Sequence, residues 1–145
     1  MAKNYRILII DDSKETVAGL KAYLCKKYHI LTAYNGRDGI QKFDKNTNRI
    51  HLVITDIIMP DVSGIALVSM IKKRSPETPI IAITGWGYNH GALATEINAD
   101  IVLDKPFEME ELNQAIEKLL CEIRTEQVRS RASFSSGQQN IGPGF

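Results

Sequence analysis

"VITDIIMPDVSG", residues 53–64, places an aspartate at the tip of an apolar run. Val53, Ile54 and Thr55 read as the end of a buried strand, and after Asp56 come Ile57, Ile58, Met59 and Pro60. A carboxylate that leaves water without a partner is costly. Asp56 is therefore either a solvated strand end or a charge held by something the fold supplies. The neighbouring segments decide between the two.

Three more runs rich in isoleucine and valine share the character of residues 52–55: "RILII" at 6–10, "IIAIT" at 80–84 and "IVL" at 101–103, with a weaker "ILTA" at 30–33. None alternates apolar with polar residues, which predicts strands buried on both faces, as in a parallel sheet. Helical patterns lie between them. Val17, Leu20 and Leu24 share a face over residues 14–27, and Ile65, Val68 and Ile71 share one ahead of the basic "KKR" and the breaker "SPETP". Met109, Leu112, Ile116, Leu119 and Ile123 make an amphipathic stripe. A helix over residues 36–46 shows only Ile40 and Phe43 on its face. The segment "GWGYNHGALATEINAD" carries Gly85, Gly87 and Gly91 and only the pair Leu93 and Ile97, so it reads as a fourth helix and as the element best able to move. Strand and helix alternating five times predict an α/β fold: a doubly wound five-stranded parallel sheet with helices on both faces.

The composition suits one domain of 145 residues, with 43% hydrophobic and 24% charged residues. We take residues 1–124 as that domain and 125–145, polar and rich in Ser, Gly and Gln, as a disordered tail. A net charge of +1 gives no electrostatic case for nucleic acid or an anionic membrane as partner. No apolar run approaches the roughly 20 residues that span a bilayer, and the opening "MAKNYRILIIDD" is no signal peptide. Cys25 and Cys121 lack metal or redox spacing and are expected to be reduced and packed. A cytoplasmic location is the expectation. His29, His51 and His90 are scattered and are expected at the surface.

Sites in an open parallel sheet form beyond the carboxyl ends of the strands. Asp11 and Asp12 follow the first strand, Asp56 the third, Thr84 ends the fourth, and Lys105 and Pro106 follow the fifth. Three carboxylates in one crevice repel one another unless a cation balances them. Magnesium, which takes one or two carboxylates, waters and a phosphate oxygen, suits that set. Lys105 and Thr84 add an ammonium and a hydroxyl that suit a phosphoryl oxygen. A carboxylate can attack phosphorus to give an acyl phosphate, and Asp56 is placed for that role.

With "ILIIDDSKE", "VITDIIMPDVSG", "IIAITG" and "LDKPF" in order, each at a strand end, residues 5–124 resemble the receiver domain of two-component response regulators. The resemblance implies a flavodoxin-like receiver fold and phosphorylation of Asp56 by a histidine kinase or a histidine phosphotransfer protein. It implies Mg²⁺ held directly by Asp12 and Asp56, by Asp11 largely through water, and by the backbone carbonyl of Ile58. It implies that Thr84 and Lys105 engage the phosphoryl group, and that the Lys105–Pro106 bond is cis. The expected product is a signalling phosphoacceptor, a stand-alone chemotaxis-type regulator without DNA-binding output. It would act through a downstream protein partner as a monomer or weak homodimer.

Some positions depart from the family. An aromatic residue is usual three positions before the lysine, where this chain has Val102. Ile58 and Trp86 stand two residues past Asp56 and Thr84, and large apolar groups there are expected to slow loss of the phosphoryl group by excluding water. Tyr88 is a candidate replacement for the missing aromatic. Three other readings fit the residues less well. A haloacid-dehalogenase-type phosphohydrolase needs acids two apart, whereas Ser13 follows Asp11 at that distance; a receiver that no longer accepts phosphate has usually lost an acidic or lysine position; and a dinucleotide-binding fold needs a glycine-rich turn after the first strand.

Overall fold

A computed structural model describes residues 4–85 and 98–139, with residues 127 and 130–139 described by their backbone alone. The order is β1 (Arg6–Ile10), α1 (Lys14–Leu24), β2 (His29–Ala33), α2 (Gly36–Lys45), β3 (Leu52–Asp56), α3 (Gly64–Arg74), β4 (Ile80–Thr84), β5 (Ile101–Asp104) and α4 (Met109–Gln139). All strand pairs are parallel, and the sheet runs β2-β1-β3-β4-β5. The expected glycine-rich helix, with Trp86, Tyr88 and His90, lies outside the described residues.

Side chains alternate across a strand, so the uniformly apolar runs feed two cores at once. Ile7, Ile9, Leu52, Ile54, Ile81 and Ile83 pack under α1 and α4, with Val17, Leu20, Leu112 and Ile116 closing that layer. Leu8, Ile10, Val53, Ile80 and Ala82 face the other way, toward Phe43 of α2 and Leu67, Val68 and Ile71 of α3. Burying each such side chain contributes about 1.5–3 kcal/mol. The inner strands β3 and β4 are buried throughout, whereas the edge strands β2 and β5 are only half-buried. That fits the weaker sequence signal of β2.

The helices start at side-chain caps. Ser13, Asn35 and Ser63 accept hydrogen bonds from the amides of Thr16, Asp38 and Ala66, satisfying first-turn donors of α1, α2 and α3. Helix α2 packs partly through glycine, since a Cβ at Gly39 would lie 2.6 Å from Ile10 Cδ1. Its apolar stripe is thin because part of its buried face has no side chain.

Two expectations need correction. The sequence predicts a disordered segment over residues 125–145, whereas the backbone of α4 runs on to Gln139 and residues 140–145 lie outside the described residues. Glu126, Gln127, Arg129, Arg131 and Ala132 are adequate helix formers, and extending an existing helix avoids the cost of nucleation. The cysteines are free, as expected, but Cys121 is exposed on α4 rather than packed.

Candidate functional site

The strand order reverses direction between β1 and β3, and at this point an open α/β sheet leaves a crevice beyond its strand ends. Asp11 and Asp12 leave β1 there, and Asp56 ends β3 beside them. One carboxylate oxygen from each lies within 4.8 Å of the others. Asp11 and Asp56 are buried, at 2% and 7% exposure, while Asp12 is exposed. Lys105, just past β5, brings its Nζ to 3.6 Å from Asp11 Oδ2 and 3.7 Å from Asp56 Oδ2.

Local structure fixes each acid. The Asp11 amide donates to the Ala33 carbonyl, and the Ser13 amide donates to Asp11 Oδ1 at 2.9 Å. Beyond Asp56, the Gly64 amide donates to the Ile57 carbonyl at 2.8 Å, folding the loop back on the strand end. Gly64 sits so close that a Cβ there would lie 2.3 Å from the Asp56 carbonyl oxygen and 2.4 Å from Ile57 Cα. Asp61 accepts from the Gly36 and Arg37 amides at 3.3 Å each and ties the same loop to the start of α2. The Val62 amide, helped by those of Arg37 and Gly36, holds the exposed Asp61 carboxyl below its usual range against an opposing effect of desolvation.

The charge of the site is under-compensated. Burial pushes the Asp11 carboxyl up, the Asp12 charge adds to that, and the Ser13 amide and Lys105 only offset it. Burial also raises Asp56, and the Asp11 charge raises it further against Lys105 and the Ile57 and Ile58 amides. Asp11 Oδ2 is buried with no hydrogen-bond partner among the described residues. One ammonium more than 3.5 Å away leaves two buried carboxylates destabilised in their charged forms. An orphaned carboxylate oxygen, an all-oxygen donor set and surplus negative charge fit a hard divalent cation.

The structure thus brings Asp11, Asp12, Asp56 and Lys105 together as the sequence predicted. The exposed side chain of Ile58 (52%) stands beside Asp56 along the chain. Thr84 is fully buried at the end of β4, the neighbour of β3, but its hydroxyl donates to Asp104 Oδ1 at 2.8 Å and lies 3.4 Å from the Leu103 carbonyl. Sequence reading missed Asp104, although the parallel register sets it opposite Thr84. It also missed Asp61. Lys105–Pro106 is cis, as the resemblance implied. His51 is half-buried, its Nδ1 accepting from the Arg6 amide at 2.9 Å and its ring meeting Tyr5 edge-on, so it has a structural partner rather than a free surface position.

An acidic cluster at the switch point of a 2-1-3-4-5 sheet, with a lysine arriving from the last strand, places the chain in the flavodoxin-like class of α/β domains. The family model for the response regulator receiver domain matches residues 7–117, and the chain belongs to that family. It is 31% identical over 109 residues to the transcriptional regulatory protein DltR of Streptococcus agalactiae, an alignment covering 74% of this chain and 48% of that protein. It is 30% identical over 140 residues to the transcriptional regulatory protein RprY of Bacteroides fragilis, covering 95% of this chain and 58% of that protein. The chain therefore spans about half the length of these relatives.

Among solved structures, a receiver domain protein from Clostridium thermocellum superimposes with a TM-score of 0.78 at 32% identity, over 83% of this chain and 98% of that one. The response regulator TrrA of Thermotoga maritima, in complex with Mg²⁺-BeF, superimposes with a TM-score of 0.69 at 34% identity, over 79% and 98%. Among the described residues, no helix is long and apolar enough to cross a membrane.

Proposed function

We propose that this chain is the phosphoacceptor of a two-component or phosphorelay system, taking a phosphoryl group on Asp56 from a histidine kinase or histidine phosphotransfer protein. One observation carries the reading: the Asp56 carboxylate is buried at a strand tip with two further carboxylates within 4.8 Å and an ammonium at 3.7 Å. A carboxylate oxygen of Asp56 attacks phosphorus, the phosphorus–nitrogen bond of the donor's phosphohistidine breaks, and its electron pair stays on the imidazole. The product is an acyl phosphate on Asp56 and a free histidine on the donor. Lys105, which already bridges Asp11 and Asp56, neutralises charge on the transferred group. Asp11, Asp12, Asp56 and the carbonyl of Ile58 would hold Mg²⁺, which supplies the positive charge that the surplus carboxylates call for. The hydroxyl of Thr84 then donates to a phosphoryl oxygen. The resulting rearrangement at the ends of β4 and β5 alters a surface that a downstream protein reads.

Intact mass after incubation with Mg²⁺ and a small-molecule phosphodonor tests this. One added phosphoryl group on the wild type and none on Asp56→Asn is the expected result. Equal addition to both, or addition to neither even with a histidine phosphodonor protein present, overturns the reading.

A further inference from the structure

The hydroxyl of Thr84 has one proton to give and two acceptors in reach, the Leu103 carbonyl at 3.4 Å and the nearer Asp104 Oδ1. The proton is donated to Asp104 Oδ1 at 2.8 Å, a charge-assisted bond from a fully buried side chain to a carboxylate at the exposed end of β5. Asp104 is the register partner of Thr84. Two residues earlier on the same face of β5 stands Val102, packed against the α3-side core and opposite Ala82. A β-branched side chain held by core packing has little rotameric freedom, so Val102 cannot follow a movement of Thr84 as a large ring would.

We propose that Asp104 is a positioning residue that holds Thr84 in the unphosphorylated state by competing with the phosphoryl group for its single hydroxyl proton. This rests on the phosphoacceptor reading of Asp56 and goes beyond it. Engagement of a phosphoryl oxygen by Thr84 breaks the bond to Asp104 at the exposed end of β5. Asp104 therefore sets how far the resting equilibrium lies from the engaged state, in the position where Val102 leaves the strand without a movable aromatic group. No covalent step is involved; one hydrogen bond exchanges its acceptor.

The test is titration of the full chain with beryllofluoride at saturating Mg²⁺, followed by the methyl resonance of Thr84. Asp104→Ala should bind the anion about three- to tenfold more tightly than wild type, the range expected for losing one partly solvated charge-assisted hydrogen bond. Its Thr84 resonance should already lie toward the beryllofluoride-bound position before any is added. Asp104→Asn, which keeps an acceptor oxygen and removes the charge, should fall between wild type and Asp104→Ala. In a Thr84→Val background, Asp104→Ala should change beryllofluoride affinity by less than about twofold, because the coupling partner is gone.

A gain of equal size in both backgrounds, or Asn behaving like Ala, would mean that a negative charge near the pocket acts alone, and the inference fails. Unchanged affinity in Asp104→Ala also overturns it. A wild-type chain that takes up no beryllofluoride overturns the phosphoacceptor reading, and the inference falls with it.

Discussion

The loop leaving β3 and the paired ends of β4 and β5 flank the same pocket but are held in opposite ways. At the first, backbone is pressed on backbone: the Gly64 amide bonds the Ile57 carbonyl, and Gly64 leaves no room for a Cβ against Asp56 and Ile57. At the second, the chemically relevant atom is a hydroxyl whose shorter bond runs to a carboxylate exposed to water. The half that carries Asp56, the proposed nucleophile and metal ligand, is fixed before any ligand arrives, which is what preorganised charge stabilisation requires. The Thr84 half depends on a bond that one new acceptor can replace. A switch needs both, because a ligand can shift an equilibrium only where two arrangements are close in free energy.

The largest break in that contrast comes from Gly64→Ala. A Cβ 2.3 Å from the Asp56 carbonyl oxygen must displace backbone rather than a flexible side chain. Overpacking of this kind costs about 1–3 kcal/mol, or a fall in Tm of roughly 3–15 °C for a domain of this size. Phosphoryl uptake should fall at least tenfold, because the displaced atoms belong to the nucleophile itself. Thermal unfolding and a timed phosphodonor reaction measure the two effects. An alanine variant with wild-type Tm and rate would show that the β3 loop is no more rigid than the β4–β5 end.

Asp56→Asn should act in the opposite sense on stability. Burial and the Asp11 charge raise the folded pKa of Asp56 above its unfolded value. Near and above the ordinary aspartate range the folded state then binds more protons than the unfolded one, so stability falls as pH rises through the raised pKa. The penalty is fully present only above the raised pKa and disappears below the unfolded one. Without divalent cations, the asparagine variant should melt a few degrees above wild type at pH 7, roughly 2–6 °C, and the gap should close as pH falls toward 4. Adding Mg²⁺ should stabilise wild type more than the variant, since only the folded wild-type site offers the full carboxylate set. A lower Tm for Asp56→Asn in metal-free buffer at pH 7 would contradict the under-compensated charge.

How much of this was legible in the sequence follows from where each signal is stored. Ile7 to Ile10 and Leu52 to Ile54 announce strands buried on both faces because each residue must be apolar whichever core it serves. Asp11, Asp56 and Lys105 could be placed together because strand ends in a parallel sheet converge on one edge. Helix α2 was faint because Gly36 and Gly39 occupy its buried face by their lack of a side chain, which leaves no hydropathy pattern to find. The helical backbone over residues 125–139 was hidden because a segment without an apolar stripe has the composition of a tail. The Thr84–Asp104 bond depends on strand register and Asp61 on how a loop folds back across α2, and neither is written in local spacing.

The smallest effect separates loop rigidity from loop chemistry. Asp61 joins the β3 loop to α2 by accepting from two backbone amides at 3.3 Å, both long, one part-buried and one exposed. Asn35 caps the same helix independently through the Asp38 amide at 2.7 Å. Asp61→Ala should therefore leave α2 intact and quicken amide exchange at Gly36 and Arg37 by several-fold, as expected when exposed helix-end donors lose their acceptor. Because backbone amides, Val62 foremost and then Arg37 and Gly36, depress the pKa of Asp61, the protection in wild type is present above the ordinary aspartate range and is lost as pH falls through the depressed value. Phosphoryl uptake should change by less than about twofold, since Gly64 rather than Asp61 sets the backbone at Asp56. Hydrogen exchange alongside the phosphodonor assay reads both. A tenfold loss of uptake in Asp61→Ala would move the rigid element from the glycine contact to the carboxylate clamp, and the contrast between the two flanks of the pocket would then be one between two hydrogen-bonded arrangements.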